Sequence, residues 1–497
     1  MTIEELIEIC QPLDVHGHRP RTIGRLTQDS REVREGSVFI AVRGTQVDGH
    51  MFIENAISRG ARVIICEDIF YSERDDVCVL EVENTRSLVG PLAQSFEGNP
   101  AEELAIIGVT GTNGKTTVTS LVYKTLKQLG VQVSMLGTVA KYIRDEELES
   151  LLTTSDPVEL AADMRRMVEA GSTHLVMEVS SHALDQQRVG GIEFDIAAFT
   201  NLSHDHLDYH DSLDDYAAAK KKLFDGLSAE ATAVVNGDDP HGSFMLSSCN
   251  ARKIRFGFAG RTAQEREVRC RLVSNTTEGI ELEIDDITIS SPLVGRFNAY
   301  NVALSFIICR VLGYEDHEIA EALSRVHGAA GRMERVRPTI EIPDAPLVLV
   351  DYAHTPDALE NVLSTLENLK KKNQQIHLVF GCGGDRDKLK RPRMAEVAEQ
   401  LADAITVTSD NPRYEDPAAI IDDMVQGFSS SEAYEVIIDR KEAIFNAVST
   451  AGSRDIILIA GKGHETYQEI GDERRAFDDR EVAREALNQY SDTGEVH

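Results

Sequence analysis

The sequence predicts an α/β protein of three domains, and three observations carry that expectation. Its 497 residues exceed one compact domain, since domains commonly run to ~100–200 residues. Apolar strand-like runs alternate with helical patterns through most of the chain, which is the signature of βαβ units and a mainly parallel sheet. Four apolar runs in the last third each end in reactive or small polar positions, where open parallel sheets bind ligands beyond the carboxyl ends of their strands.

Residues 1–98 form a smaller α/β domain, with strands expected in "VFIAV" (38–42), "ARVIICE" (61–67) and "VCVLEVE" (77–83). "EGNPAEEL" (97–104) reads as a linker, because Gly and Pro interrupt regular structure there. The central domain, 99–332, places strands in "LAIIGVTG" (104–111), "VQVSMLG" (131–137), "THLVMEVS" (173–180), "FDIAAFTNLS" (194–203) and "ATAVVNGDD" (231–239). A β-rich stretch at 253–294 follows, then helices at 298–313 and 316–327. The last domain, 333–497, holds the four polar-ended runs: "APLVLVDYAH" (345–354), "IHLVFGCGG" (376–384), "AITVTSDNPR" (404–413) and "DIILIAGKGHE" (455–465).

Composition narrows the function classes. The chain is 42% hydrophobic and 27% charged, with no apolar run long enough to span a bilayer, as expected of a soluble globular protein. The acidic opening "MTIEELIEIC" lacks the basic residues of a secretory signal, and the seven scattered cysteines form no C-x-x-C. A cytoplasmic location without disulfide or zinc framework is expected. The net charge of −32 argues against nucleic-acid binding, which requires a cationic face. An anionic small molecule would have to be bound by locally concentrated cations and backbone amides.

"GVTGTNGKTT" (108–117) supplies such a site. It follows a buried-type strand and opens an amphipathic helix, whose N-terminal N–H groups cradle phosphate. The strict P-loop spacing would put Gly where Val109 stands, so the loop is a variant. Gly111, Thr112, Asn113, Gly114, Lys115, Thr116 and Thr117 are the expected ATP-binding residues. Lys115 would meet the terminal phosphates and Thr116 a Mg2+ ion. A plain glycine-rich turn is the alternative. Glu178 ends a strand nearby, and "TNLSHDHLDYH" (200–210) adds His204, Asp205, His206, Asp208 and His210. That run suits an oxygen-preferring metal site, zinc, or a helix cap around Asp205.

With "MEVSSHALDQQRV", "YAAAKKKLF", "DSREVREGSVFIAVRGTQVDGH", "GRFNAYN", "DYAHTPDALE", "GCGGDRDKLKRP", "DNPRYEDP" and "GKGHE" added in order, the chain resembles the Mur ligase family. The motifs run from residue 29 to residue 465. The resemblance implies a UDP-binding N-terminal domain, a central P-loop ATPase and a Rossmann-like C-terminal domain that receives an amino acid. It is closest in pattern to the branch that adds the third residue of the peptidoglycan stem peptide to UDP-N-acetylmuramoyl-L-alanyl-D-glutamate. ATP is the expected co-substrate, Mg2+ the expected cofactor with two ions, and a monomer the expected state.

What the resemblance assigns to each residue follows from the matched motifs. Ser30, Thr45, Gln46 and Val47 would line the uridine pocket, and Thr153, Thr154, Ser180, Gln186 and Arg188 would hold the muramoyl-dipeptide. Ordinary turn and cap chemistry is the alternative for these hydroxyls. Counting four residues on from Tyr216 selects Lys220, among Lys220, Lys221 and Lys222, as the lysine carboxylated by CO2. The metal set would be Thr116, Glu178, His206 and Lys220, and the catalytic set Lys115, Glu178, His206, Lys220, Asp351 and His354. A capped turn is the plain alternative for Asp351 and His354. Asn298, Asn301 and Arg332 would complete the ATP contacts.

The implied chemistry is phosphorylation of the D-glutamyl γ-carboxylate, followed by attack of an amine on the acyl phosphate, with domain closure between the two. Arg386, Asp410, Asn411, Pro412, Arg413, Gly461 and Glu465 would bind the incoming amino acid. An intact "DNPR" implies meso-2,6-diaminopimelate, whose distal carboxylate an arginine can take bidentately. The alternative for Arg413 is a surface ion pair with Glu415 or Asp416. The alternative functions are the same ligation with L-lysine and a folylpolyglutamate-synthase-like ligase.

Overall fold

The computed structural model describes residues 1–44, 47–68, 70, 74–150, 152–203, 209–258, 268–340, 342 and 345–490. The chain forms two compact units, one of residues 1–268 with 304–315 and one of residues 269–303 with 316–497. No helix among the described residues is long and apolar enough to cross a membrane.

The first unit contains two sheets. In the smaller one Leu26–Thr27, Val38–Ile40, Val63–Cys66 and Cys78–Glu81 run parallel, and Asp14–Gly17 adds an antiparallel edge. In the larger sheet Arg252–Gly257, Thr232–Asn236, Ile196–Phe199, Ala105–Thr110, His174–Glu178 and Val133–Leu136 lie in that order, all parallel, and Lys141–Ile143 and Glu146–Leu148 extend it antiparallel beyond Val133–Leu136. Parallel strands are covered on both faces, so their sequences read as unbroken apolar runs. Ile106, Ile107 and Val109 are accordingly fully buried. Glu178 pairs in register with Val109, and Phe199 with Thr110, so three chain segments emerge together at one carboxyl edge.

The second unit carries a sheet ordered Glu334–Val336, Leu347–Asp351, Ile456–Ala460, Ile376–Phe380, Ala404–Val407 and Glu435–Val436. Only its first strand is antiparallel. Asp351 and Phe380 both pair with Ala460, and Phe380 with Val407, which aligns the four polar strand ends expected from the sequence. A buried ion pair ties these ends from behind. Arg440 donates Nε and Nη2 to the two oxygens of Asp479, at 2.8 and 2.7 Å, and Nη2 also reaches the Ala460 carbonyl at 3.0 Å.

The α/β class with mainly parallel sheets therefore matches the expectation, and residues 97–104 connect helix Thr85–Phe96 to strand Ala105–Thr110. Pro100–Glu103 forms a 3-10 turn in which Pro100 and Ala101 are buried. Gln94 Oε1 accepts from Ala101 N, and Arg165 donates to the carbonyls of Glu97 and Gly98. Arg165 is remote in sequence and Gln94 only seven residues from Ala101, and together they satisfy a backbone whose composition alone reads as loop.

Helix Thr85–Phe96 also meets the Gly190–Gly191 turn at van der Waals limits. A Cβ on Gly90 would fall 2.1 Å from the Gly190 carbonyl oxygen. Gly90→Ala is expected to destabilise the fold by about 1–3 kcal/mol, because neither backbone segment can yield without moving its element. Urea denaturation checks this, and an unchanged midpoint would contradict it.

Candidate active site

The loop after Ala105–Thr110 is shaped by a backbone only glycine tolerates. Gly111 has φ 150°, and a Cβ there would lie 1.9 Å from Thr200 Oγ1. The neighbouring strand end holds the loop in place. Thr112 N donates to the Asn201 carbonyl at 2.8 Å, Asn113 N to Asn201 Oδ1 at 3.0 Å, and Thr200 Oγ1 to the Asn113 carbonyl at 2.6 Å. Gly114, with φ 87°, then starts helix Lys115–Gln128. Lys115 Nζ folds back onto the carbonyls of Gly111 and Thr112, at 2.9 and 2.8 Å.

Lys220 arrives from helix Leu213–Asp225 and is 1% exposed. Its Nζ donates to the same Gly111 carbonyl at 2.9 Å and lies 4.3 Å from the Tyr216 ring centre. Helical periodicity sends its two neighbours elsewhere. Lys221 bonds Asp225 and Ser248, and Lys222 bonds Asp185 at 2.8 Å. Of three consecutive lysines, the loop carbonyl is bonded by Lys220.

Glu178 gathers the next layer. Its Oε2 accepts from Thr116 Oγ1 at 3.0 Å, and its Oε1 from Thr138 N at 2.7 Å. Thr138 Oγ1 continues to Thr153 Oγ1 at 3.1 Å. Thr154 Oγ1 donates to the Glu178 carbonyl and accepts from Ser180 N, while Arg188 Nη1 donates to the Thr154 carbonyl at 3.0 Å. Arg188 also holds Gln186 Oε1, and Gln186 Nε2 reaches Tyr209 OH. Burial lowers the Arg188 pKa from its ordinary value. Thr153, Thr154, Ser180, Gln186 and Arg188 thus form one network with Glu178. A cavity of about 570 Å³ adjoins it, lined in part by Asp185, Tyr209, His210 and Lys222.

Other expected residues lie apart from this network. Ser30 begins the 3-10 turn Ser30–Glu32, capped by Asp29, and Val47 is exposed in a turn where its carbonyl accepts from Gly44 N. Thr45, Gln46 and His206, with His204, Asp205 and Asp208, fall outside the described residues.

A second cluster occupies the carboxyl edge of the sheet in the second unit. Both Asp351 oxygens accept backbone donors, Met333 N at 2.7 Å and Ala353 N at 2.8 Å. Burial raises the Asp351 pKa, with Arg332 opposing. Arg332 lies over the Tyr352 ring at 4.8 Å, and the His354 ring is edge-on to the same tyrosine. His354 Nδ1 bonds the Tyr352 carbonyl at 2.9 Å. His464 also packs on Tyr352, and burial, reinforced by Arg332, Arg480 and Lys462, pushes its pKa down to about 4. His464 is therefore neutral at pH 7. Asn298 Nδ2 donates to the Val294 carbonyl, and Asn301 Nδ2 to Asn298 Oδ1.

The loops at 410–413 and 461–465 interlock. Gly461 has φ 117°, and a Cβ there would strike Asp410 Oδ2 at 2.6 Å. Lys462, fully buried, donates to Asn411 Oδ1 at 2.9 Å and to Glu465 Oε2 at 3.0 Å. Asn411 Nδ2 reaches the same Glu465 oxygen at 2.7 Å, leaving Glu465 Oε1 without a protein donor among the described residues. Arg413 does not pair with its sequence neighbours. Glu415 binds Arg391 and Lys388, which hold its carboxyl well below the usual range, and Asp416 caps helix Pro417–Val425. Arg413 instead donates Nε to Glu469 Oε2 at 3.0 Å and Nη1 to the Gly384 carbonyl at 2.8 Å. The exposed Arg386 lies alongside, its Cγ and Arg413 Nη1 both flanking Gly383.

Sequence reasoning missed Thr138, Asn201, Lys462, Glu469 and the Arg440–Asp479 pair. Lys462, between two glycines at a strand end, carried a usable signal. The others are distinguished by nothing in their local sequence.

A phosphate loop on a parallel sheet, joined by a buried lysine and a strand-end carboxylate, defines a nucleotide-dependent enzyme of the P-loop α/β class. Family descriptions agree along the chain: the Mur ligase family catalytic domain at residues 22–97, the Mur ligase middle domain at 109–309, and the Mur ligase glutamate ligase domain at 331–463. UDP-N-acetylmuramoyl-L-alanyl-D-glutamate--2,6-diaminopimelate ligase of Cytophaga hutchinsonii is 41% identical, over 98% of this chain and 99% of that protein. A solved structure bearing the same enzyme name is 33% identical, covers 97% of this chain and 98% of its own, and superposes with a TM-score of 0.69. A MurF ligase from Thermotoga maritima in complex with ADP shares the fold at 20% identity, with 93% and 96% coverage and a TM-score of 0.57. The chain belongs to the Mur ligase family, a family of ATP-dependent ligases.

Proposed function

We propose that this protein joins meso-2,6-diaminopimelate to the D-glutamate of UDP-N-acetylmuramoyl-L-alanyl-D-glutamate, converting ATP to ADP and phosphate, in peptidoglycan biosynthesis. In this reading it is a cytoplasmic monomer. Residues 1–98 bind the UDP end, 99–332 carry ATP, and 333–497 receive the amino acid. The observation that carries the substrate choice is the pairing of opposite charges at one sheet edge. Arg413 has N–H groups left for a carboxylate, and Glu465 Oε1 is left for an ammonium. The full-length similarity to diaminopimelate ligases supports the same choice.

The Thr153, Thr154, Ser180, Gln186 and Arg188 network would orient the muramoyl-dipeptide, with Ser30, Thr45, Gln46 and Val47 on its uridine. The D-glutamyl γ-carboxylate attacks the γ-phosphorus of ATP, the bond to the β–γ bridging oxygen breaks, and an acyl phosphate and ADP result. Lys115 and the amides of residues 111–117 offset the charge in that transfer. The neutral amine then attacks the acyl carbon, phosphate departs with the C–O electron pair, and the amine loses its proton. Arg332, with Asn298 and Asn301, would contact the nucleotide. Asp351 holds the turn that carries Arg332, and His354 shares its aromatic neighbour.

Magnesium belongs to this reading. Thr116 and Glu178 present hard oxygen donors 3.0 Å apart, the ligand chemistry that Mg2+ selects. No group of three His, Cys, Asp or Glu able to hold a metal occurs among the described residues, which exclude His206. Thr116, Glu178, His206 and Lys220 as N6-carboxylysine would hold two ions, which when bound would neutralise phosphoryl charge.

The test is amino-acid-dependent ADP release with diaminopimelate against L-lysine. Diaminopimelate is expected to be preferred, and Arg413→Ala to raise its KM about 10–100-fold, as loss of a charge-assisted pair implies. ATP affinity should be unchanged. Equal use of lysine, or ADP release indifferent to both amino acids, would refute the reading.

A further inference from the structure

Arg413 is held in the left-handed region at φ 52°, a conformation that L-residues other than glycine adopt at a cost. The hairpin Tyr467–Ile470 and Glu473–Ala476 fixes it from both sides. Arg413 N donates to the Glu469 carbonyl at 3.0 Å, and its own carbonyl accepts from Gly471 N at 2.7 Å. The same hairpin grips the preceding residues: Glu469 N donates to Asn411 Oδ1 at 3.0 Å, and Gln468 Nε2 to the Asp410 carbonyl at 2.7 Å. The Glu469 side chain then takes Arg413 Nε at 3.0 Å and is itself held by Arg474 Nε at 3.2 Å.

We propose that Glu469 is a positioning residue for amino-acid selection, locking Arg413 so that only its end-on edge faces the ligand; this rests on the diaminopimelate reading above. A guanidinium can take a planar carboxylate through Nε and Nη2 or through Nη1 and Nη2. Glu469 closes the first route by occupying Nε. The Gly384 carbonyl takes one Nη1 N–H, which leaves the second Nη1 N–H and those of Nη2 for the distal carboxylate. A side chain pre-set in one geometry loses less freedom on binding, so the lock raises affinity although Glu469 adds a negative charge nearby. The hairpin follows the 461–465 loop directly, so the ammonium-facing Glu465 and the lock on Arg413 lie on one continuous segment.

The experiment measures KM and kcat for diaminopimelate in wild type, Glu469→Gln, Glu469→Ala, Arg413→Ala and Arg413→Ala/Glu469→Ala, with thermal melts of each. Both single Glu469 variants are expected to raise the diaminopimelate KM, the alanine about tenfold. Maximal turnover and the KM values for ATP and the UDP-dipeptide should stay within about twofold, below the effect of a lost charge-assisted bond. The double variant should be no worse than Arg413→Ala, because Glu469 acts through Arg413. An unchanged or lowered KM, a parallel rise in every KM with loss of thermal stability, or additive effects in the double variant would overturn the proposal. If wild type itself fails to couple ADP release to diaminopimelate, the functional reading falls and this inference with it. If wild type does so and the Glu469 variants behave normally, the inference alone falls.

Discussion

Lys115→Met is expected to lower ADP formation by about 10²–10³-fold, the loss typical when one preorganised charge donor to a developing transition state is removed. Methionine keeps the unbranched stem and helix propensity, so the first turn of Lys115–Gln128 should persist. Asn201 and Thr200 still hold the loop, so only the modest loss of thermal stability from the two Lys115 bonds to the Gly111 and Thr112 carbonyls is expected. The informative pair of measurements is steady-state ADP release and a melt on the same preparation. Turnover within tenfold of wild type would mean that the 111–117 loop does not handle the phosphates.

Asp479→Ala is expected to cost about 3–5 kcal/mol of stability, read by urea denaturation, because it strands the Arg440 charge in the interior. Both side chains are fully buried. Burial works against the Arg440 charge, yet the adjoining Asp479 carboxylate more than offsets it and raises its pKa. The consequence reaches function. Arg440 also approaches the Ser409 carbonyl at 3.4 Å and Asp410 at 4.0 Å, so it braces the strand end from which the Arg413 loop departs. Replacing both partners with apolar residues of similar volume should destabilise far less than the single change, since no unpaired charge remains. A single change costing under 1 kcal/mol would show that water reaches the pair.

Legibility in the sequence followed the range of the interactions concerned. The loop after Ala105–Thr110 is contiguous and its form is set by local backbone conformation, so "GVTGTNGKTT" announced its strand–turn–helix shape directly. The four polar strand ends were legible for a similar reason, because an apolar run that stops at a polar residue marks both strand and edge. Arg413 illustrates the limit. Its sequence neighbours Glu415 and Asp416 were the natural ion-pair partners, but one binds Arg391 and the other caps a helix. Its actual partner, Glu469, is 56 residues away on a hairpin.

By itself the sequence determined the α/β class, the parallel strands, the nucleotide loop and the residues presented at each strand end. These depend on apolar periodicity and on local backbone chemistry, which a linear chain displays in full. Only the tertiary structure decided which of Lys220, Lys221 and Lys222 bonds the Gly111 carbonyl, which oxygen of Glu465 accepts from Asn411, and which carboxylate takes Arg413 Nε. Each of those outcomes turns on partners brought together by sheet register and helix packing, 109 residues apart for Lys220 and Gly111, 54 for Asn411 and Glu465, and 56 for Arg413 and Glu469.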